Sequence, residues 1–502
     1  MGHHLTNNVF HAINTFLVVL LVVKLIKAVH DSPFTIRDSR LTSHYSRFAL
    51  IAAATTGLLF GLHPIHVESV AWIAERKDLL CALFYLLSVM AYVKYRTYKS
   101  YTTYFLSLGF FFLALLSKPM AVSLPVVLLI LDWYPFQKIT SLKTFRTAFV
   151  EKLPFIALSS FSSIVTILAQ GSAAAIRSAE FAPLSTRSFS AVKALAAYLY
   201  KIILPLNLLP FYPYALHPSS LFFEYLLPIV LAIGITAGCI SLAGRREKFW
   251  LCGWTYYVAT LLPVLGIVQV GDQAMAVRYM YLPSLGPFLV IGLTAAWGWE
   301  KVAMSKNRRF IGQLVYAGTA LFVLVLISYL TCRQVGIWDN SFTLWNYVIE
   351  KEPAAVPAAY NNRGIAFGRT GQLNRAIQDF DRAIVLDPSF DRAYNNRGAA
   401  YLMQRSFDKA IEDFDKAINI RAGNPSAYSN RGYAYYFEGQ YDRAMKDYDK
   451  AIELDKNYAK AYFNRGNLYF RTGDNEPAIS DFKKACELGD KEGCSAFQSL
   501  PR

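Results

Sequence analysis

The sequence predicts an all-α protein in two parts, a polytopic bundle of membrane-spanning helices followed by a superhelical stack of short helical hairpins. Three observations carry that prediction. Of 502 residues, 54% are hydrophobic and only 17% charged, too apolar for a water-soluble chain of this length. Ten apolar stretches long enough to cross a bilayer occupy the first two-thirds of the chain. From Trp338 onward the charge becomes balanced and the residues repeat with a 34-residue period.

The apolar stretches run at 9–29, 47–62, 79–95, 103–118, 120–135, 153–170, 224–243, 250–267, 279–299 and 310–331. The first has neither a charged leader nor a cleavage motif, so it reads as a spanning helix. An eleventh stretch, 190–206, carries Lys193 and Lys201 and ends in LPLNLLPFYPY. Proline-broken backbone at membrane depth needs protein or water around it, so this stretch reads as re-entrant or interfacial. The tyrosine-proline run Pro210 to Pro213 reads as a helix breaker.

Net charge is +16, which on its face suits a polyanion partner. The segment up to Cys332 holds 27 of the 51 basic and 12 of the 35 acidic residues, so nearly all the excess sits in the membrane part. Basic loops are expected there from insertion rules, and nucleic-acid binding is set aside. Placing the loops after odd-numbered spans in the cytoplasm puts 19 of those 27 basic residues on one side. The loop at 61–78, the loop around Asp272 to Arg278 and everything beyond Arg333 then face outward. The N-terminus also falls outside with about eight residues before the first span, which leads us to expect a further helix upstream.

The outward loop Gly61 to Leu80, GLHPIHVESVAWIAERKDLL, concentrates His63, His66, Glu68, Glu75, Arg76, Lys77 and Asp78 between two apolar spans. Charge at membrane depth is costly and is kept chiefly where groups pair or line a wet cavity, so this loop reads as half of a site mouth. His63 and His66 are spaced for two ligands on one turn, but no third is evident, so a lining role is preferred to a metal. Asp132, followed by Trp-Tyr-Pro, reads as an interface and helix-stop feature.

In the second part the pattern Tyr-x-Asn-Arg-Gly recurs at Tyr360, Tyr394, Tyr428 and Tyr462. Each copy is followed by an alanine (Ala376, Ala410, Ala444, Ala478), an aromatic (Phe380, Phe414, Tyr448, Phe482) and a second alanine (Ala383, Ala417, Ala451, Ala485). Small residues where helices touch and large ones between repeats describe a tetratricopeptide array over 358–486. A connector and partial leading repeat at 333–357 precede it, and a cap at 487–502 follows. Four repeats exceed the three a stacked core requires. The periodic Arg363, Arg397, Arg431 and Arg465, with Asp379, Asp413, Asp447 and Asp481, read as interhelical pairs. Cys486 and Cys494 flank a short turn, and either a disulfide or two buried thiols fits them.

Taken together, GHHLTNNVFHAINTFLVV, GLHPIHVESVAWIAERKDLLCALFYLLS, LLSKPMAVSLPVVLLILDWY, VQVGDQAMAVRYMYLPSLGP and the repeats resemble the transmembrane-and-tetratricopeptide (TMTC-like) proteins. Their membrane part belongs to the glycosyltransferase C superfamily, alongside the protein O-mannosyltransferases. The resemblance implies a polyprenyl-phosphate-linked sugar donor in a cavity on the outer face and a protein hydroxyl as acceptor. It also implies an acidic loop after a first helix, bearing the catalytic carboxylate, upstream of the segment matching GHHLTNN. The chain is therefore expected to be truncated at its N-terminus relative to that family.

Sugar transfer from a lipid phosphate needs a base for the acceptor proton and cations for the departing phosphate. For the phosphate the candidates are Arg76, Lys77 and Arg278, with Lys118 behind them. Glu68 and Asp78 are the nearby base candidates, and each is expected to pair with Arg76 or Lys77. His63, His66, Asp272, Gln273 and Tyr279 would line the cavity. No divalent metal or other cofactor is called for, and a peptide or partner protein is expected in the repeat groove. The compact loops suit a bacterial inner membrane with the repeats extracytoplasmic. The rival reading is a non-enzymatic membrane-anchored scaffold; a transporter fits less well, because no paired Gly/Pro breaks mark corresponding halves.

Overall fold

The computed structural model describes residues 2–30, 41–172, 184–213, 225–245, 247–266, 273–304, 309–353 and 356–499. They form two compact units, Met1–Trp338 and Asp339–Arg502, almost wholly helical.

The first unit is built around α4 (Arg76–Tyr98), packed on α1 (Gly2–His30) and α5 (Tyr101–Ser117). Paired serines hold α4 to α5: Ser88 Oγ donates to the Ser107 carbonyl at 2.7 Å and Ser107 Oγ to the Ser88 carbonyl at 2.9 Å. Small hydroxyl residues let helix backbones approach where lipid offers no hydrophobic drive. α2 (Leu41–Leu62) packs on α1 and on α12 (Leu285–Met304). There a Cβ on Gly292 would lie 2.6 Å from the Ala52 carbonyl oxygen, so only glycine fits. Between α2 and α4 the chain turns through Pro64–His66, α3 (Val67–Ala71) and Ile73–Glu75. Pro64 opens that turn, where its missing N–H costs nothing, and the His63 ring accepts the Ile65 N–H at 3.2 Å.

Among the described residues, five helices are long and apolar enough to cross a membrane alone: His4–His30, Ile73–Tyr98, Leu153–Gln170, Leu227–Gly244 and Phe310–Ile337. Ser46–Leu62 and Pro64–Ala71, bent by 48° at their junction, are long and apolar enough only when taken together, as a broken span or a re-entrant loop. The protein is thus multi-pass, but not every expected stretch becomes one long helix. The 103–118 and 120–135 stretches become the 17-residue α5 and, after a turn that begins at Pro119, the 10-residue α6 (Leu124–Trp133). The 250–267 stretch becomes the 14-residue α11 (Lys248–Leu261), ended at the Leu262–Val264 turn that contains Pro263. α12 starts at Leu285 rather than 279 because a 3₁₀ turn, Val277–Met280, carries Arg278 first.

The remaining helices are α7 (Leu142–Glu151), α8 (Leu153–Ser172), α9 (Leu184–Ile203), α10 (Leu227–Gly244) and α13 (Arg309–Ile337). α9 buries Ala191, Ala194, Leu195, Tyr198 and Ile202 along one face and stops just before Pro205. The Pro210 to Pro213 run is more than a breaker. Tyr212–Pro213 forms a short antiparallel ladder with Gln273–Met275 and brings the two loops together.

Asp132 is likewise more than a helix stop, because burial without partners would be prohibitive for its charge. It is fully buried, with Lys152 Nζ at 2.6 Å, Arg96 Nε at 3.1 Å and the Tyr92 hydroxyl donating at 2.8 Å. Arg96 and Asp78 lie near opposite ends of α4, separated by about 27 Å at 1.5 Å per residue, close to the thickness of a hydrocarbon core.

In the second unit, α14 (Ser341–Lys351) is capped by Asn340, whose side chain accepts from the Phe342 and Thr343 N–H groups. Four hairpins follow: α15–α16 (Pro357–Arg369, Leu373–Leu386), α17–α18 (Asp391–Met403, Phe407–Ile420), α19–α20 (Pro425–Phe437, Tyr441–Leu454) and α21–α22 (Ala459–Thr472, Asn475–Glu487). Each repeated spacing has a physical cause. A Cβ on Gly364, Gly398, Gly432 or Gly466 would lie 2.7, 2.8, 2.9 or 2.8 Å from the ring of Phe380, Phe414, Tyr448 or Phe482. Arg397 grips Asp413 with two hydrogen bonds, 2.8 and 2.7 Å, and reaches back to Asp381 of the preceding hairpin at 2.6 Å. Arg431 and Arg465 repeat the arrangement with Asp447 and Asp415, and with Asp481 and Asp449. The arginines therefore hold the stack together.

A disulfide joins Cys486 to Cys494 and ties α22 to α23 (Lys491–Ser499). Closing so short a loop stabilises by about 2–3 kcal/mol in the chain-entropy model. Cys494→Ser is expected to loosen α23 alone; peptide mapping without reductant should recover the crosslink in the wild type, and amide exchange should show the loss of protection confined to 488–499.

Candidate active site

One face of α1 carries Asn7, His11 and Asn14, at the i, i+4, i+7 spacing of a helix stripe. Each ties down the Gly61–Leu80 segment, from the last turn of α2 to the first turn of α4. Asn7 Nδ2 donates to the Val70 carbonyl at 3.0 Å, Asn14 Nδ2 to the Leu79 carbonyl at 2.9 Å, and His11 meets the Gly61 carbonyl at 3.1 Å and the Tyr281 hydroxyl at 2.7 Å. The loop's own histidines tie it elsewhere. His63 Nε2 lies 2.9 Å from the Ile202 carbonyl, and His66 bridges the Phe60 carbonyl at 2.7 Å and Ser284 Oγ at 2.9 Å. Both ring nitrogens of each are thus engaged by protein atoms.

On this frame sits a network of buried charges. Arg278 Nη1 donates to Glu68 Oε1 at 2.7 Å, and the Arg278 backbone N–H to Glu68 Oε2 at 2.9 Å. Lys118 Nζ pairs with Asp78 and stands 3.6 Å from Glu75 Oε2. Glu75 is the hub: Lys77, Lys118 and Arg278 all lie 3.6 Å from its carboxylate. Among the described residues, Glu75 Oε2 and Asp78 Oδ2 are buried and receive no hydrogen bond from an N–H or hydroxyl donor; the two carboxyl groups face each other. Burial works to lower the Arg278 pKa, but the Glu68 and Glu75 carboxylates outweigh it and hold the guanidinium above its ordinary range. Its planar group lies over the Trp72 and Tyr279 rings, at 5.4 and 5.1 Å, and Lys118 faces the Tyr279 ring at 5.4 Å.

The expected pairings of the loop acids with Arg76 or Lys77 are not the ones formed. Glu68 takes Arg278 and Asp78 takes Lys118, because these cations are brought in from distant segments and are themselves largely buried. Arg76 instead donates to Asn7 Oδ1 at 3.0 Å, and Lys77 is half exposed beside Glu75. Gln273 Nε2 donates to the Tyr279 hydroxyl at 2.8 Å. Asp272 lies outside the described residues. Sequence reasoning passed over Glu75 as a site residue, and Asn7, His11, Asn14 and Tyr281 altogether; the α1 residues were detectable as a polar stripe on an apolar helix.

Comparison with known proteins bears on both units. Tetratricopeptide repeat models match residues 361–427, 432–473 and 459–489. Protein O-mannosyl-transferase F38B6.6 of Caenorhabditis elegans is 24% identical over 401 residues, 78% of this chain and 51% of that protein. Mouse protein O-mannosyl-transferase TMTC3 is 22% identical over 77% of this chain and 42% of its own length. The chain is a TMTC-like tetratricopeptide-repeat protein. Human protein O-mannosyl-transferase TMTC4 shares 38% identity over 94 residues, 19% of this TMTC-like chain and 12% of that protein. The chain spans about half the length, or less, of the curated relatives it matches. Among solved structures, MamA aligns with 27% identity over 32% of this chain and 94% of its own, at a TM-score of 0.28. The TMTC-like chain is therefore a glycosyltransferase-like membrane protein with tetratricopeptide repeats, an architecture suited to binding protein.

Proposed function

We propose that this protein transfers a sugar from a polyprenyl-phosphate donor to a protein hydroxyl on the extracytoplasmic face, with the repeats holding the acceptor or a partner. The observation that carries the reading is the pair Glu75 and Asp78, two buried carboxyl groups set against each other beside Lys118 and Arg278, one oxygen of each having no other donor among the described residues. Such an oxygen is what a base needs to accept the proton of an incoming hydroxyl. The two cations beside it suit the departing lipid phosphate, Arg278 as the better fork and Lys118 as a point charge. Glu68 acts by holding Arg278 in place. The names of the relatives support transfer of mannose to protein, and the disulfide supports an oxidising compartment for the repeats.

The test is transfer from polyprenyl-phosphate mannose to a serine- and threonine-containing peptide, with the native full-length protein in proteoliposomes. Wild type is expected to label the peptide, and Lys118→Met and Glu75→Gln each to lower the rate at least about tenfold, the usual scale of one positioned proton-transfer or charge-stabilising group. A specific observation favours the scaffold reading, since Glu68 and Asp78 already occupy Arg278 and Lys118. Unlabelled peptide in every lipid and peptide condition would decide for it.

A further inference from the structure

At some distance from this network, α1, α2, α4, α6, α11 and α12 surround a chamber of about 490 Å³. Its wall is aliphatic and aromatic, including Leu86, Val89, Leu289 and Leu293. Two polar groups on that wall are committed, the Tyr256 hydroxyl to the Leu282 carbonyl at 3.2 Å and Thr294 to the Val290 carbonyl, and the wall is otherwise mostly apolar, with Tyr134, Trp250, Trp297 and Glu247 as its remaining polar side chains. Water needs two to four polar partners to occupy a cavity, so water is a poor filling here. The chamber is only partly enclosed, so molecules from outside can enter it. In a bilayer the available filling is hydrocarbon.

Length and charge narrow the occupant. Along α12 the wall runs from Leu285 to Trp297, about 18 Å at 1.5 Å per residue, near half of a hydrocarbon core of about 30 Å. That is one leaflet, the span of a single acyl chain and less than that of a polyprenyl chain. The end at Trp297 lies about two turns before the end of α12 and is lined also by Phe249 and Trp250 from the first turn of α11. Two lysines stand next to lining residues at this end, Lys301 with its Nζ 3.7 Å over the Trp297 ring and Lys248 beside Phe249 with its Nζ 5.5 Å over the Trp133 ring; among the described residues Glu247 is the one acid lining the chamber. Basic groups between transmembrane helices hold anionic head groups, and tryptophan marks the interface level.

We propose that this chamber takes one chain of an anionic phospholipid, with the head group against Lys248 and Lys301. The site is separate from the transfer chemistry and stands whether or not the chain is a transferase.

The test is native mass spectrometry of the whole protein released from nanodiscs of equimolar dioleoyl phosphatidylglycerol and dioleoyl phosphatidylcholine. Wild type is expected to retain phosphatidylglycerol about tenfold over phosphatidylcholine, on the scale of two lysines at a membrane surface. Lys248→Gln with Lys301→Gln should bring the ratio near one. Leu289→Trp, which narrows the chamber, should weaken retention of both lipids while keeping the wild-type melting temperature; should that variant fail to fold, the lysine pair alone decides. Equal retention of the two lipids by the wild type overturns the proposal. So does displacement of phosphatidylglycerol by added undecaprenyl phosphate, which would give the chamber to the sugar carrier instead.

Discussion

Replacing Arg278 by alanine is expected to destabilise the membrane domain by about 3–5 kcal/mol, the usual cost of breaking a buried ion pair from one side. The cost comes less from the lost attraction than from what is left behind. Glu68 is 3% exposed and Glu75 4% exposed, and Arg278 is the cation that reaches both. Removing it strands Glu68 where water cannot solvate it, while Glu75 loses one of its three cations and keeps Lys77 and Lys118 at 3.6 Å. Arg278→Gln combined with Glu68→Gln should recover most of the stability, since neutral amides can hydrogen-bond without the buried charge. Thermal unfolding in detergent, followed by intrinsic fluorescence, separates the two variants. Equal melting temperatures for the single and double variants would mean that the network is solvated and the pairing incidental. Transfer activity should be absent in both, because the double variant restores packing but not the guanidinium.

How far the chain could be read before its structure was known follows the range of the interactions. The tetratricopeptide stack was fully legible, since Gly398, Phe414 and Arg397 act within one repeat or on its neighbour, and the period repeats the message four times. The positions of the apolar stretches were legible too, but their lengths as helices were not. Pro119 and Pro263 shorten α5, α6 and α11 to pieces that rely on neighbours for their depth. At the candidate site, composition singled out the loop between Gly61 and Leu80 correctly as a concentration of charge. It misassigned the partners, because proximity in sequence favoured Arg76 and Lys77. Burial decides instead, and it selects Arg278, 210 residues from Glu68, and Lys118, 40 residues from Asp78. The polar stripe on α1 was missed for a similar reason. Asn7, His11 and Asn14 look like scattered polar residues until the helix places them on one face against three backbone carbonyls.

In the repeat unit the largest effect is expected at Phe414. Its ring is fully buried and stands against Gly398, within 3 Å of where a Cβ would be. Phe414→Ala removes that ring from a contact its neighbours cannot close, because glycine offers no side chain to move inward. A cost of about 3–5 kcal/mol follows, large beside the stability of a four-repeat array. Solenoid stability is a sum of repeats and nearest-neighbour interfaces, so the damage should be local before it is global. Amide exchange on the full chain is expected to show protection lost first across Asp391–Leu454, the mutated hairpin and its successor. The hairpins at Pro357–Leu386 and Ala459–Glu487 should retain theirs longer. Val385→Ala, at a side chain 67% exposed, serves as the control and should change protection little. A uniform loss of protection from α15 to α22 in Phe414→Ala would show instead that the four hairpins unfold as one cooperative unit, and that the coupling between repeats exceeds the stability of any one of them.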